Sequence, residues 1–337
     1  MIFSQVLLAA LQELVVGQEY AVTAVTRAVV MALAGMYPRN GPLAVLMFAG
    51  PTGSGKTHVA RSLGRILFGS DRGIIHIDCQ QIGQAADPFG EFHKQMFGHQ
   101  TRHLNPTPQA APPISILLFE HLDKAPAPFL ENLASAFDWG HVLIKGACLS
   151  LSNTIVILTI TLSRRQVEQF IGRTIGFFSD GEPGADLTRR HIMILEEMDH
   201  MIGATMVTRT DEIILFERLS EQHVARLLDK SLATLQNSLG ICGIRLIVNA
   251  DARSFLLLQG LEDLTHGTRQ IDRVVKNVLE FPLADLALSG RLTPGTTVSV
   301  SHQRPRSFLN FQIATPWLLS PTAAPLSPIT LERSSIG

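Results

Sequence analysis

Cysteine, tyrosine and surplus charge are what this chain has least of. Its three cysteines, Cys79, Cys148 and Cys242, are odd in number and widely spaced. That excludes the paired spacing of a disulfide scaffold or a cysteine zinc site and fits a reducing, cytoplasmic setting. Aromatic residues make up 6% of the chain, too few for the stacked-ring platforms that bind single-stranded nucleic acid. Lys and Arg number 28 against 29 Asp and Glu, a net charge of −1, so no broad basic footprint for nucleic acid is expected. Charge-free apolar runs of membrane-spanning length are also missing: the longest apolar stretch, Tyr20 to Tyr37, carries Arg27 in its middle and reads as a buried amphipathic helix. The first residues, MIFSQVLLAALQE, have no basic segment, so they are not read as a secretory leader. What is present is apolar bulk. Hydrophobic residues are 46% of 337, enough for one large or two modest domains with real cores.

The strongest local signal is Gly50 to Thr57, GPTGSGKT. It follows the apolar run Leu43 to Ala49, which reads as a buried strand. It precedes His58 to Phe68, which reads as a helix with Val59, Leu63, Ile66 and Leu67 on one face. Strand, glycine-rich loop and helix form the setting in which such a loop cradles phosphate. Gly50, Gly53 and Gly55 let the loop curl so that its N–H groups converge on phosphate oxygens, and the helix adds its positive end. Pro51, Thr52 and Ser54 complete the loop. Lys56 is expected to place its charge between the β- and γ-phosphates of ATP, and Thr57 to put its hydroxyl on Mg²⁺.

Along the chain, Ser4 to Val15 and Glu19 to Met36 read as helices. Gly73 to Asp78, Ile114 to Phe119, Asn153 to Thr161 and Glu212 to Phe216 read as further strands. Pro128 to Phe137, Arg164 to Ile171 and Leu187 to Met201 read as helices, with a Gly/Pro loop over 181–184. Residues 83–113, rich in Gly, Pro, Gln and His, read as a long irregular insertion. Within it, His93, His99 and His103 lack acidic or cysteine partners and read as a polar loop rather than a metal site; Phe89, Phe92 and Phe97 read as packing residues. Apolar strands alternating with helices predict an α/β fold, a parallel five-stranded sheet flanked by helices. From about 217 the texture turns helical: Ser220 to Leu239, Asp251 to Leu258 and Arg269 to Leu288, the last interrupted at Pro282, then a strand over Thr296 to Val300. The expected organisation is a nucleotide-binding domain over 1–216, a small helical domain over 217–302 and a disordered tail over 303–337.

Several spaced stretches resemble the AAA+ ATPases, and more closely the C-terminal ATPase module of the Clp/heat-shock unfoldases. They are VVGQ, PLAVLMFAGPTGSGKT, ILLFEHLDKA, NTIVILT, RTDEIILF and HGTRQIDRVVKNVLEFPLADLALSGRLTPGTTVSV. The resemblance implies that Val16 and Gly17 lie against adenine and that Glu120 takes the place of the metal-linked Asp. It implies that Arg209, in RTD where the family has RID, is an arginine finger reaching a neighbouring subunit. Arg269, in GTR where the family has GAR, is implied as the second sensor. It further implies a homo-oligomeric ring, expected to be a hexamer, acting on a protein substrate.

The departures are specific. The family's Asp-Glu pair is here Glu120-His121, with an imidazole where a carboxylate polarises water. The first-sensor Asn is Thr161. The pore-loop tyrosine is missing, since Tyr20 and Tyr37 lie elsewhere and Phe97-Gly98 is the nearest substitute. Arg209 also reads as a surface partner of Asp211, and His121 as a structural histidine. Two functions stay open: an ATP-hydrolysing ring motor that remodels proteins, or a nucleotide-dependent scaffold with weak or no turnover. A DNA-linked clamp loader is disfavoured by the near-neutral charge.

Overall fold

The computed structural model describes residues 2–37, 41–70, 73–100, 114–144, 147–163, 166, 183–261, 268–303 and 308–314. The chain separates into two compact units, Met1–Arg218 and Leu219–Gly337.

In the first unit, helices α1 (Phe3–Leu14) and α2 (Glu19–Leu33) precede strand β1 (Ala44–Gly50). Then come α3 (Lys56–Phe68), β2 (Ile74–Asp78), α4 (Cys79–Gln84), α5 (Pro88–Gln100) and β3 (Ser115–Glu120). A short 3₁₀ turn at Leu122–Lys124 leads to α6 (Ala127–Trp139) and a hairpin of β4 (His141–Ile144) and β5 (Ala147–Ser150). Strand β6 (Thr154–Thr161), α7 (Pro183–Ile202), α8 (Ala204–Val207) and β7 (Glu212–Leu215) complete the unit. The main sheet runs β2-β3-β6-β1-β7 and every pair in it is parallel.

Both faces of the sheet are covered, which is why β1, β3 and β6 are almost unbroken apolar runs. Alternate residues of β1 point to opposite sides. Leu46 and Phe48 join Leu7, Val25, Val29 and Leu63 from α1, α2 and α3. Val45 and Met47 join Phe92, Leu133, Phe137 and Met198 from α5, α6 and α7.

The second unit contains α9 (Glu221–Ile241), β8 (Arg245–Val248), α10 (Ala250–Leu261), α11 (Thr268–Val275), α12 (Phe281–Leu288), β9 (Thr297–His302) and β10 (Leu309–Ala314). Ser220 caps α9: its hydroxyl accepts the His223 N–H at 3.3 Å, and His223 Nδ1 accepts the Ser220 N–H at 3.3 Å. Pro282 has no N–H to give to the preceding turn, and a single π-helical turn, Lys276–Glu280, sits where that bond would fall. Strand β8 runs parallel to β9, and β10 antiparallel to it. Val298, Val300 and Phe311 pack with Val224, Leu228, Leu256 and Leu279 in one core.

Three expectations need correction. Much of 83–113, read as irregular, is helical through α4 and α5, because Phe92 and Met96, one turn apart, are buried against the sheet. Residues Pro183 and Gly184, placed in a loop, are the first of α7. Residues 309–314, assigned to a disordered tail, form β10, whose Leu309 and Phe311 face the core. The helix expected over Arg164 to Ile171 lies outside the described residues apart from Gln166, as do residue 103 and the side chains of Phe97 and His99. Among the described residues no helix is long and apolar enough to cross a membrane.

Candidate nucleotide-binding site

The sheet brings the C-terminal ends of its strands to one edge. Register pairs Gly50 of β1 with Thr161 of β6, and Asp78 of β2 with Glu120 of β3. In open parallel sheets this edge is where ligands bind. The loop GPTGSGKT leaves β1 at that edge. Gly50 is wedged under the exit of β7: a Cβ there would fall 2.5 Å from the Phe216 carbonyl oxygen. Gly53 (φ 75°) and Gly55 (φ 100°) hold the left-handed backbone that the curl requires. The Ser54 hydroxyl is buried and makes no hydrogen bond within the protein, a polar atom in this loop left for a ligand to satisfy.

Lys56 opens α3 and is nearly buried. Its Nζ donates to the carbonyls of Gly50 and Pro51, each at 2.8 Å. The ammonium is thus stored against the loop that it would serve. Val16 and Gly17 connect α1 to α2, and Gly17 is buried with φ 76°.

Glu120 closes β3 and is 7% exposed. Thr57 Oγ1 donates to Glu120 Oε1, and His76 Nε2 donates to Glu120 Oε2 at 2.6 Å. Burial alone would raise this carboxyl. The hydrogen bonds from His76 and Thr57, with the nearby charge of His76 and His121, outweigh burial and hold it down at about 2. Glu120 is therefore an anion at neutral pH. A hydroxyl and a carboxylate oxygen in contact, both hard donors, suit Mg²⁺.

His121 is the sole non-glycine residue with positive φ among the described residues (φ 56°, ψ 48°). Its N–H donates to Thr159 Oγ1 at 3.1 Å. Its Nδ1 is buried without a hydrogen bond and lies 3.7 Å from Asp78 Oδ1. A histidine in a left-handed conformation is a local strain of about 1–2 kcal/mol. Asp123 is turned to the backbone, accepting the Thr161 N–H at 3.2 Å and pairing with Lys124 at 2.9 Å.

Arg209 follows α8 and pairs with Asp138. Its Nε donates to Asp138 Oδ2 at 2.8 Å, its Nη2 donates to the same oxygen, and its Nη1 donates to the Thr205 carbonyl at 2.7 Å. Asp211, the partner considered from sequence, accepts the Val45 N–H at 2.7 Å. Arg269 belongs to α11 of the second unit, and its side chain lies outside the described residues. A cavity of about 330 Å³, walled by Phe89, Phe92, Phe129, Leu133 and Trp139, has no P-loop residue in its lining.

Sequence reasoning missed two residues of the site. His76 interrupts the apolar β2 and is the partner of Glu120. Gln18, in the VVGQ stretch, is 4% exposed and bonded to the P-loop. Neither role is visible without the fold, since their partners lie 44 and 36 residues away.

Residues 219–300 match the family described as the C-terminal, D2-small domain of ClpB protein. Over 295 residues the chain is 28% identical to the chloroplastic chaperone protein ClpD of Arabidopsis thaliana, covering 85% of this chain and 31% of ClpD. It is also 28% identical over 295 residues to the ATP-dependent Clp protease ATP-binding subunit ClpC of Staphylococcus aureus (strain USA300), covering 87% of this chain and 36% of ClpC. The chain thus spans about a third of the length of the curated relatives it matches. With its all-parallel five-stranded sheet, the P-loop at its C-terminal edge and the small-domain match, the chain is similar to the C-terminal ATPase module of the Clp-type AAA+ proteins.

Proposed function

We propose that this chain binds ATP with Mg²⁺ and hydrolyses it as part of a cytoplasmic ring, expected to be a hexamer, that remodels protein substrates. One observation carries the reading: a buried, acid-shifted Glu120 sits hydrogen-bonded to Thr57 at the foot of a glycine-shaped loop. In it, the N–H groups of residues 52–57 and the α3 N-terminus hold phosphate oxygens. Lys56 leaves the Gly50 and Pro51 carbonyls to neutralise them. Thr57 and Glu120 hold Mg²⁺, which neutralises charge between the phosphates. Val16 and Gly17 pack on the adenine. Thr161, beside Gly50 in the sheet, orients the attacking water. Arg209 acts in a neighbouring subunit once released from Asp138, and Arg269 reports on the γ-phosphate. The printed names of the relatives, an ATP-binding subunit and a chaperone, support this reading.

A second reading, a nucleotide-dependent scaffold with slow turnover, is favoured by His121. Its ring lies toward Asp78 in a strained backbone, where the family keeps a carboxylate base. Steady-state ATPase rates separate the two. The motor reading expects wild type to exceed both Lys56→Ala and Arg209→Ala by about a hundredfold or more. Equal rates would leave the scaffold.

A further inference from the structure

Gln18 makes bonds that the nucleotide site itself does not account for. Its Nε2 donates to the Ser54 carbonyl at 2.9 Å and to the Glu217 carbonyl at 2.7 Å, and its Oε1 accepts the Glu217 N–H at 3.1 Å. One buried carboxamide therefore joins the middle of the P-loop to a residue 199 positions away. A second contact reinforces the same junction. Gly50 packs so tightly against Phe216 that a Cβ would come within 2.5 Å of its carbonyl oxygen, and the Phe216 N–H donates to Ala49 at 2.8 Å. Glu217 and Arg218 are the last residues of the first unit, and Leu219 begins the second.

We propose that Gln18 is a positioning residue that couples the conformation of the P-loop to the chain leaving the α/β unit at Glu217. The inference rests on the reading that the P-loop binds nucleotide. The chemistry asks for glutamine. Both donors and the acceptor are engaged, so a glutamate loses the two donated bonds and an alanine loses all three, leaving the buried Ser54 carbonyl without this partner. Asparagine is a methylene too short to span the same gap. Filling the loop with phosphate reorients the peptide that carries the Ser54 carbonyl, because its neighbouring N–H groups must turn to the ligand. That strains or frees the Nε2 bond and, through the same planar amide, the two bonds to Glu217. Nucleotide state is thereby passed to the connecting segment without any contact between ligand and Glu217.

The test is hydrogen exchange on the full chain with and without ADP and Mg²⁺, followed at peptides covering residues 216–219, together with measured ADP affinity. Wild type is expected to bind ADP and to change exchange at Glu217 by about fivefold, the equivalent of one net hydrogen bond. Gln18→Leu, which removes all three bonds, is expected to exchange at Glu217 about fivefold faster without ligand and to show no further change at saturating ADP, with occupancy set from the measured affinity. A purely structural glutamine would leave the nucleotide-dependent change intact in that variant, which overturns the proposal. Wild-type protein that binds ADP with no change at Glu217 overturns it as well, even if every Gln18 variant fails to fold. Wild-type protein that binds no ADP overturns both this coupling and the nucleotide reading beneath it.

Discussion

Replacing Glu120 by Gln gives the most quantitative access to the site, because its carboxyl is held at about 2 against an ordinary 4.5. Its side chain is only 9% exposed, so solvent screening discounts little of that difference. At neutral pH the shift corresponds to about 3 kcal/mol of folding stability. The folded-state value lies below the unfolded one, so the unfolded chain takes up the proton first as pH falls. The contribution is complete above about pH 4.5 and is lost as pH drops through 2. By pH 3, about 2 kcal/mol of it should be gone. The assay is urea unfolding followed by circular dichroism, without nucleotide or Mg²⁺, at pH 7 and pH 3. Glu120→Gln keeps a side chain of the same shape beside Thr57 and His76 but cannot titrate. Its stability deficit relative to wild type should therefore be largest at pH 7 and shrink by about 2 kcal/mol at pH 3. A deficit that is the same at both pH values would refute the reasoning, since it would mean that lost packing, not a stabilised anion, is what Glu120 contributes.

Gly50→Ala should lower stability by about 1–3 kcal/mol in a thermal melt, because its Cβ meets backbone at Phe216 that cannot swing away. Phe48→Ala, which removes a fully buried ring 5.1 Å from that of Phe216, should cost about 3–5 kcal/mol in urea unfolding. Ser220→Ala should remove about 1 kcal/mol from the second unit by uncapping α9, read as a lower urea midpoint with unchanged slope.

What could be read in the sequence was whatever is written locally. The P-loop is spelled in eight consecutive residues, and β1, β3 and β6 announce themselves because burial on both faces demands unbroken apolar runs. The short hairpin strands HVLI and ACLS, and RLIV of β8, are four residues each, too brief for a period to show. Helix α5 carries Gly90 and Gly98 and little helical preference. It forms because Phe92 packs on Phe119 and Phe129, with centroids 6.1 and 5.3 Å apart, so tertiary contact overrides propensity. Strand β10 was hidden by the Pro- and Ser-rich stretch around it. His76 and Gln18 were invisible for a related reason: strand pairing sets His76 beside Glu120, and the packing of the first two helices on the sheet sets Gln18 beside Ser54.

The central claim is that the loop at residues 50–57, with Glu120, clasps a magnesium nucleotide. Calorimetric titration of the purified chain with ADP or ATP, with and without Mg²⁺, tests it most directly. Saturable binding is predicted, strengthened by Mg²⁺ and weakened at least about tenfold by Lys56→Ala, the loss expected for one charged phosphate contact. No measurable binding of either nucleotide in the presence of Mg²⁺ would contradict it.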